Sequence, residues 1–312
     1  VRRALVVLAA LLVAACGGTQ PAAPNPDSGV TKVNAGVIAI VDTAPIHLGK
    51  AKGFFTEQKI DLTITPVQGG AAAVSGAVSG QFQFAFANTT SLLTAKQQGL
   101  DVKVVANGVS STGEQGKDFS AVLVEPDSPI KTAKDLAGRK ISVNQLKNIG
   151  DTTVRASVRN AGGDPTGIEF VELPFPDAPA ALQGGRVDAI WVVEPFVSQA
   201  ISQGARPVAW NFADAAANLT VAMYFTTGRT DPELTKRFTA AMRKSLEYAD
   251  AHPDEVREVL KTYTKIAPDV IAKIYLPKWP VEVNKESVQT IADLAVADGV
   301  LKEKIDVSAL VP

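Results

Sequence analysis

The chain has 312 residues, 46% of them hydrophobic and 20% charged, with a formal net charge of -1 at pH 7, two histidines and one cysteine. That length accommodates two domains of ordinary size, each with a substantial core. The near-neutral balance without a basic cluster argues against nucleic acid as a partner, and His47, His252 and Cys16 are too few for a zinc site of the usual kinds.

Arg2 and Arg3 precede an apolar run over residues 4–15 that ends at Cys16. This is the pattern of a secretory signal peptide, and the run is shorter than the ~20 residues a helix needs to span a bilayer core. Val13-Ala14-Ala15-Cys16 resembles the bacterial lipobox, which implies a lipid on Cys16 and a protein held on the outer face of the cytoplasmic membrane or in the periplasm. Removal of residues 1–15 leaves 297 residues with a formal charge of -3. With a lone cysteine no intrachain disulfide can form. Residues 16–31, rich in Gly, Pro, Asn and Ala, read as a lipid-anchored flexible linker.

Residues 32–41 form an apolar, β-branched strand that runs into Asp42-Thr43-Ala44-Pro45, a cap and early proline that open a helix carrying Ile46 and Leu48. Residues 60–66 alternate as a strand, 71–79 read as a helix, 82–87 as a strand, 89–97 as a helix and 102–106 as another strand. After a polar stretch over 110–118 a second series begins: strands at 119–124, 140–143, 168–173, 189–193 and 206–210, with helices at 132–136, 151–161, 178–183 and 195–201. Short apolar strands separated by helices predict mostly parallel sheets covered on both faces. A strand at 222–226 follows, and then a tail read as all helix, over 232–251, 253–263, 267–275 and 282–298. The expected architecture is therefore α/β: lobe 1 from residues 32–119 plus 223–312, lobe 2 from 120–222, two hinge crossovers, and a helical C-terminal tail wrapped on lobe 1.

In such sheets ligands sit beyond the C-terminal strand ends, where loops lead into helices. Five loops qualify: Asp42-Thr43-Ala44, Gln68-Gly69-Gly70, Asn88-Thr89-Thr90, residues 148–153 with Gly150, Asp151 and Thr152, and residues 191–195 with Trp191 and Glu194. Thr43, Asn88 and Thr152 read either as ordinary N-caps or as part of an anion- or carbonyl-binding helix start. Gly69 and Gly70 mark a tight turn or a close backbone approach, Trp191 core or cleft, and Tyr224 hinge packing or a solute contact. Glu194, if buried, must find donors. His47 reads as a packing or surface residue and His252 as a solvated turn residue. No G-x-S-x-G, G-x-G-x-x-G or G-x-x-x-x-G-K-[ST] motif is present, and an Asp151–Glu194 pair is the one candidate for acid/base work.

Several longer stretches resemble one family. DTAPIHLGKAKGFFTEQKIDLTI from Asp42, the GQFQF entry from Gly80, DSPIKTAKDLAGRKISV from Asp127 and ALQGGRVDAIWVVEPF from Ala181 together are similar to the bacterial ABC-transporter solute-binding proteins of the nitrate/sulfonate/taurine (NMT1/THI5-like) group, over residues 33–298. The resemblance implies the type II periplasmic-binding-protein fold, a monomer without cofactor or metal, and no enzymatic activity. Its partners are then a small-molecule solute and a membrane permease. It implies ligand contacts at Thr43, Ala44, Gln68, Gly69, Gly70, Asn88, Thr89, Gly150, Asp151, Thr152, Trp191, Glu194 and Tyr224. The implied solute is a small organic sulfur- or nitrogen-containing compound of sulfonate or taurine type. Asp151 and Glu194 depart from an anion site and leave open a pyrimidine, flavin or amine, and the group also leaves open a THI5-like pyrimidine-precursor enzyme.

Overall fold

The computed structural model describes residues 29–311; the expected signal peptide, Cys16 and most of the expected linker lie outside the described residues. Thr31–Pro312 fold as one compact unit that contains two five-stranded sheets. The first has the order β2-β1-β3-β10-β4, made of β1 (Thr31–Val37), β2 (Ile60–Pro66), β3 (Phe84–Asn88), β4 (Val102–Ser110) and β10 (Thr220–Thr227). The second has the order β7-β6-β8-β5-β9, made of β5 (Ser120–Val124), β6 (Lys140–Val143), β7 (Glu169–Glu172), β8 (Ala189–Val193) and β9 (Arg206–Ala209).

The two sheets repeat one plan. β1 pairs in parallel with β2 and β3, and β6 with β7 and β8. The strand that enters each sheet from the other half, β10 or β5, runs antiparallel to both of its neighbours. The flanked strands β3, β5, β8 and β10 are buried at every position, and their sequences FAFAN, SAVLV, AIWVV and TVAMYFTT are accordingly near-continuous apolar runs. The edge strand β2 instead starts with an alternation, Ile60 and Leu62 in, Asp61 and Thr63 out.

The chain passes between the sheets twice, from β4 to β5 and from β9 to β10. After β10 a helix over Pro232–Ala251, with Asp231 accepting from Leu234 N at its start, lays Phe238 flat on Phe84 at 3.8 Å and against Tyr224 at 6.3 Å, which fixes this helix to the first sheet. The tail differs from the expectation in two respects. The stretch expected as helix over 267–275 is helical only at Pro268–Ile271; a turn follows, and from Tyr275 the chain departs because its amides are bound elsewhere, Tyr275 N to Glu194 and Lys278 N to Ser110 O at 3.0 Å each. The tail also touches the second half, through that Tyr275 contact and through Arg159 with Asp298 at 2.5 Å.

Candidate functional site

β1 ends at Val37 and the chain leaves the sheet as an apolar shoulder, Ile38-Ala39-Ile40. The Thr43 hydroxyl donates to Ile38 O (2.7 Å) and lies 3.1 Å from Ile40 O, and the Tyr263 hydroxyl donates to Ile40 O (3.0 Å). Thr43 therefore precedes the helix Ala44–Ala51 without capping it; its hydroxyl holds the shoulder instead. Asp42, in the same turn, is buried at 2% exposure, and Trp279 Nε1 donates to its backbone O. Its carboxyl Oδ1 has no hydrogen-bond partner. Burial, with a small addition from Asp118, lifts the Asp42 pKa to about 8, so the carboxyl is predominantly protonated at neutral pH.

Gln68-Gly69-Gly70 opens the helix Gly70–Ser79. A Cβ on Gly69 would lie 2.5 Å from Gln145 Oε1, and one on Gly70 would collide with the Ser91 hydroxyl, so both glycines allow close approach. Gln145 comes from the second half, where its Oε1 accepts weakly from Ala71 N (3.4 Å) and from Asn148 Nδ2 (3.2 Å). Asn148 Nδ2 also donates to Ser91 Oγ at 3.0 Å. These side chains tie the two halves together across the cleft.

The remaining helix starts are occupied by the protein's own side chains. Asn88 Oδ1 accepts from Ser91 N (2.9 Å), while Thr89 donates to Thr220 O of the crossing strand (2.7 Å). Asn148 Oδ1 accepts from Ile149 N (2.7 Å), and Asp151 Oδ2 accepts from Lys147 N (3.0 Å). Thr152 is the fourth residue of the helix Ile149–Asn160, not its cap, and donates back to Asn148 O. Burial raises the Asp151 pKa to about 6. A Cβ on Gly150 would lie 2.5 Å from the Trp191 ring, so this glycine lets the helix sit on the indole.

Trp191 donates through Nε1 to Ser120 Oγ (2.9 Å) and packs against Phe175 and Phe212 at 5.4 and 6.0 Å. Glu194 is fully buried, and both carboxylate oxygens are taken: Oε2 by Ser198 N, Oε1 by the Ser198 hydroxyl (2.6 Å) and by Tyr275 N (3.0 Å). Burial dominates and lifts its pKa to about 7. Tyr224 is fully buried between Phe86 and Phe238, with its hydroxyl unpartnered.

Three cavities have walls from both halves. The outer one holds about 500 Å³ and is walled by Ile38–Ile40, Gln68 and Phe82 on one side and Phe175, Pro176 and Phe196 on the other. The inner one, about 20 Å³, shares Ile38, Ile40 and Phe175 with it and ends among Asp42, Asn88, Asn144, Phe86, Trp191 and Phe212. Neither wall carries a lysine, an arginine or a histidine. The third, of about 400 Å³, lies between Ala71, Ser91 and Thr94 of the first half and Gln145, Lys147 and Glu172 of the second.

Of the residues singled out from sequence, Gln68, Asn88 and Trp191 line the two adjoining cavities. Gly150 lies against Trp191 behind the inner cavity, Gly69 and Gly70 closely approach Gln145 and Ser91, which line the third, and Thr43 holds the shoulder. Ala44, Thr89, Asp151, Thr152, Glu194 and Tyr224 are in neither wall. His47 is a packing residue, stacked on Tyr263 at 3.8 Å, with a pKa lowered to about 4 chiefly by burial. His252, expected as a solvated turn residue, stacks on Tyr248 at 3.8 Å. Sequence reasoning passed over Ile38, Ile40 and the aromatic wall, Phe175 above all. The available signal was position, since Phe175-Pro176 follows β7 at the strand end where ligand loops gather.

A family model described as NMT1/THI5 like matches residues 40–256. The chain is 31% identical over 196 residues to an Escherichia coli (strain K12) protein named as an aliphatic sulfonates-binding protein, an alignment covering 60% of this chain and 60% of that relative. It is 22% identical over 271 residues to a Bacillus subtilis (strain 168) protein of the same name, covering 85% of this chain and 73% of the relative. Its fold matches that of the alkanesulfonate-binding protein SsuA from Xanthomonas axonopodis pv. citri bound to MOPS, with TM-score 0.75, 19% identity, and 90% and 98% of the two chains covered.

Proposed function

The chain belongs to the NMT1/THI5-like family, and from that premise we propose that it is the solute-binding component of an ABC importer, capturing a small organic molecule between its two halves without covalent chemistry. The observation that carries this reading is the pair of adjoining cavities that share Ile38 and Ile40 from one half and Phe175 from the other. A solute there touches both halves at once and favours the closed arrangement over an open one by its extra contacts. In this reading lobe 1 is residues 32–119 plus 223–312 and lobe 2 is 120–222. The hinge lies at the β4–β5 and β9–β10 passages, and a permease receives the closed form. Export with a lipid on Cys16 completes the proposal, with residues 16–31 as the tether.

The test is native mass spectrometry of the purified protein with release and identification of any retained small molecule, followed by a thermal-shift screen. A ligand that binds only the folded state raises the apparent melting temperature. A retained or strongly stabilising solute supports the reading; no solute by either measurement overturns it.

A further inference from the structure

The chemistry of the cleft narrows the class of solute, an inference that rests on the solute-binding reading above. The outer cavity has aromatic faces from both halves, Phe82 on one side and Phe175 and Phe196 on the other, and its polar side chains (Thr65, Gln68 and Gln81) are all uncharged. Flat aromatic walls of this kind suit a ring, which gains contact area with few rotors to freeze. The outer volume of about 500 Å³ holds a ring system, whereas the inner one of about 20 Å³ has room for a group the size of a water molecule. That small inner end carries the one carboxyl, Asp42, with Oδ1 unpartnered, together with the amides of Asn88 and Asn144.

An oxyanion finds little there. No lysine, arginine or histidine lines either cavity. At each of three cleft-facing helix starts one backbone donor is already bound by the protein's own oxygen, Ala71 N by Gln145, Ser91 N by Asn88 and Ile149 N by Asn148, and just ahead of the last Lys147 N is bound by Asp151. Lys147 lines only the third cavity, where it is exposed to water and has the Glu172 carboxylate beside it. A three-oxygen headgroup is moreover too large for the inner end and would lose its hydration without replacement.

We infer that the cleft selects an uncharged, flat aromatic solute carrying one small hydrogen-bond donor, with the ring between Phe82, Phe175 and Phe196 and the donor on the Asp42 carboxyl, and that it discriminates against sulfonates and nitrate. The experiment is isothermal titration of the purified full chain at pH 7 with aniline, benzenesulfonate, toluene, methanesulfonate and nitrate, using a wider set of matched aromatic amines, phenols and arenesulfonates as the panel. The uncharged donors are expected to bind about ten-fold or more tighter than the sulfonates of the same ring, with toluene weaker than aniline. In Asp42→Leu the preference for aniline over toluene is expected to vanish. Sulfonates binding as tightly as the uncharged donors overturn the inference and leave the solute-binding reading intact. Retention of the aniline preference in a folded Asp42→Leu overturns the assignment of Asp42. A panel with no ligand in either class overturns the inference, while the solute-binding reading stands or falls on the retained-solute and thermal-shift measurements above.

Discussion

Raising the pH from 6.5 to 8 should destabilise the folded chain, and the size follows from its buried acids. Asp42 has a folded pKa of about 8 against 3.8, and Glu194 about 7 against 4.5, in both cases through burial. A carboxyl whose folded pKa is raised binds its proton more tightly in the native state, so stability falls as pH rises from the unfolded to the folded value. His47 acts in the opposite sense: its folded pKa of about 4 against 6.5 adds stability as pH rises through that interval. From pH 6.5 to 8 only the upper half of the unfolded histidine's titration remains, worth less than about half a kcal/mol. At about 1.4 kcal/mol per pH unit for each group still protonated only in the fold, Asp42 costs about one and a half kcal/mol across the window and Glu194 a little under about 1 more before it ionises, a net loss of about 2 kcal/mol. At an unfolding entropy of about 2.1 cal/mol/K per residue, that corresponds to a fall of roughly 3–4 °C in melting temperature. Thermal or urea unfolding at constant ionic strength measures it, with Asp42→Asn as the control that should flatten most of the slope. A melting temperature that is level or rising from pH 6.5 to 8, or a full slope retained in Asp42→Asn, would refute the reasoning.

Glu194→Ala strips acceptors from Ser198 N, the Ser198 hydroxyl and Tyr275 N in a fully buried position, and should cost about 2–4 kcal/mol by urea unfolding at pH 7, more than Glu194→Gln, which keeps one acceptor oxygen. Trp191 is the indole that faces the inner cavity, so a solute that fills the cleft should change the intrinsic fluorescence of the wild type and change it little in Trp191→Phe. Gly69→Val places branched carbon where Gln145 now lies and should weaken solute binding about ten-fold or more while shifting unfolding by under about 1 kcal/mol, because Gln145 is partly exposed and free to swing away.

The element order was legible because the signals are local. Helices opened by proline or a capping oxygen agree with the structure to the residue at Pro232–Ala251, Pro253–Tyr263 and Thr89–Gln97, and the buried strand Ala189–Val193 does the same. The failures share a cause in partners distant in sequence. Nothing in the apolar run of residues 32–41 marks the exit from the sheet at Val37. Thr43 and Tyr263 enforce it, the latter from 223 residues away, and so the Ile38–Ile40 shoulder was hidden inside an expected strand. Glu194 read as a cleft-facing acid that would need donors if buried; Ser198 supplies two of them from the next turn, but the third, Tyr275 N, is 81 residues away and leaves no trace in the local pattern. Phe175 is a milder case: five strand-end loops were considered and the loop after β7, which supplies the aromatic wall, was not.

The contacts that hold the halves together around the cleft are mostly uncharged. Asn148 with Ser91 and Gln145 with Ala71 N are hydrogen bonds between uncharged groups, and Glu194 with Tyr275 N engages a carboxyl whose charge burial suppresses. The ion pair of second-half Arg159 with Asp298 lies away from the cavity walls, the arginine 39% and the aspartate 4% exposed. Salt screens exposed ion pairs and scarcely touches buried hydrogen bonds. The cleft should therefore keep its closed contacts over a wide range of ionic strength, and protons, not salt, are the solvent variable to which it is tuned. A site closed by neutral hydrogen bonds, walled by aromatic rings and floored by a protonated carboxyl is internally consistent: adding a fixed anion would introduce a buried charge that no neighbouring group is placed to offset.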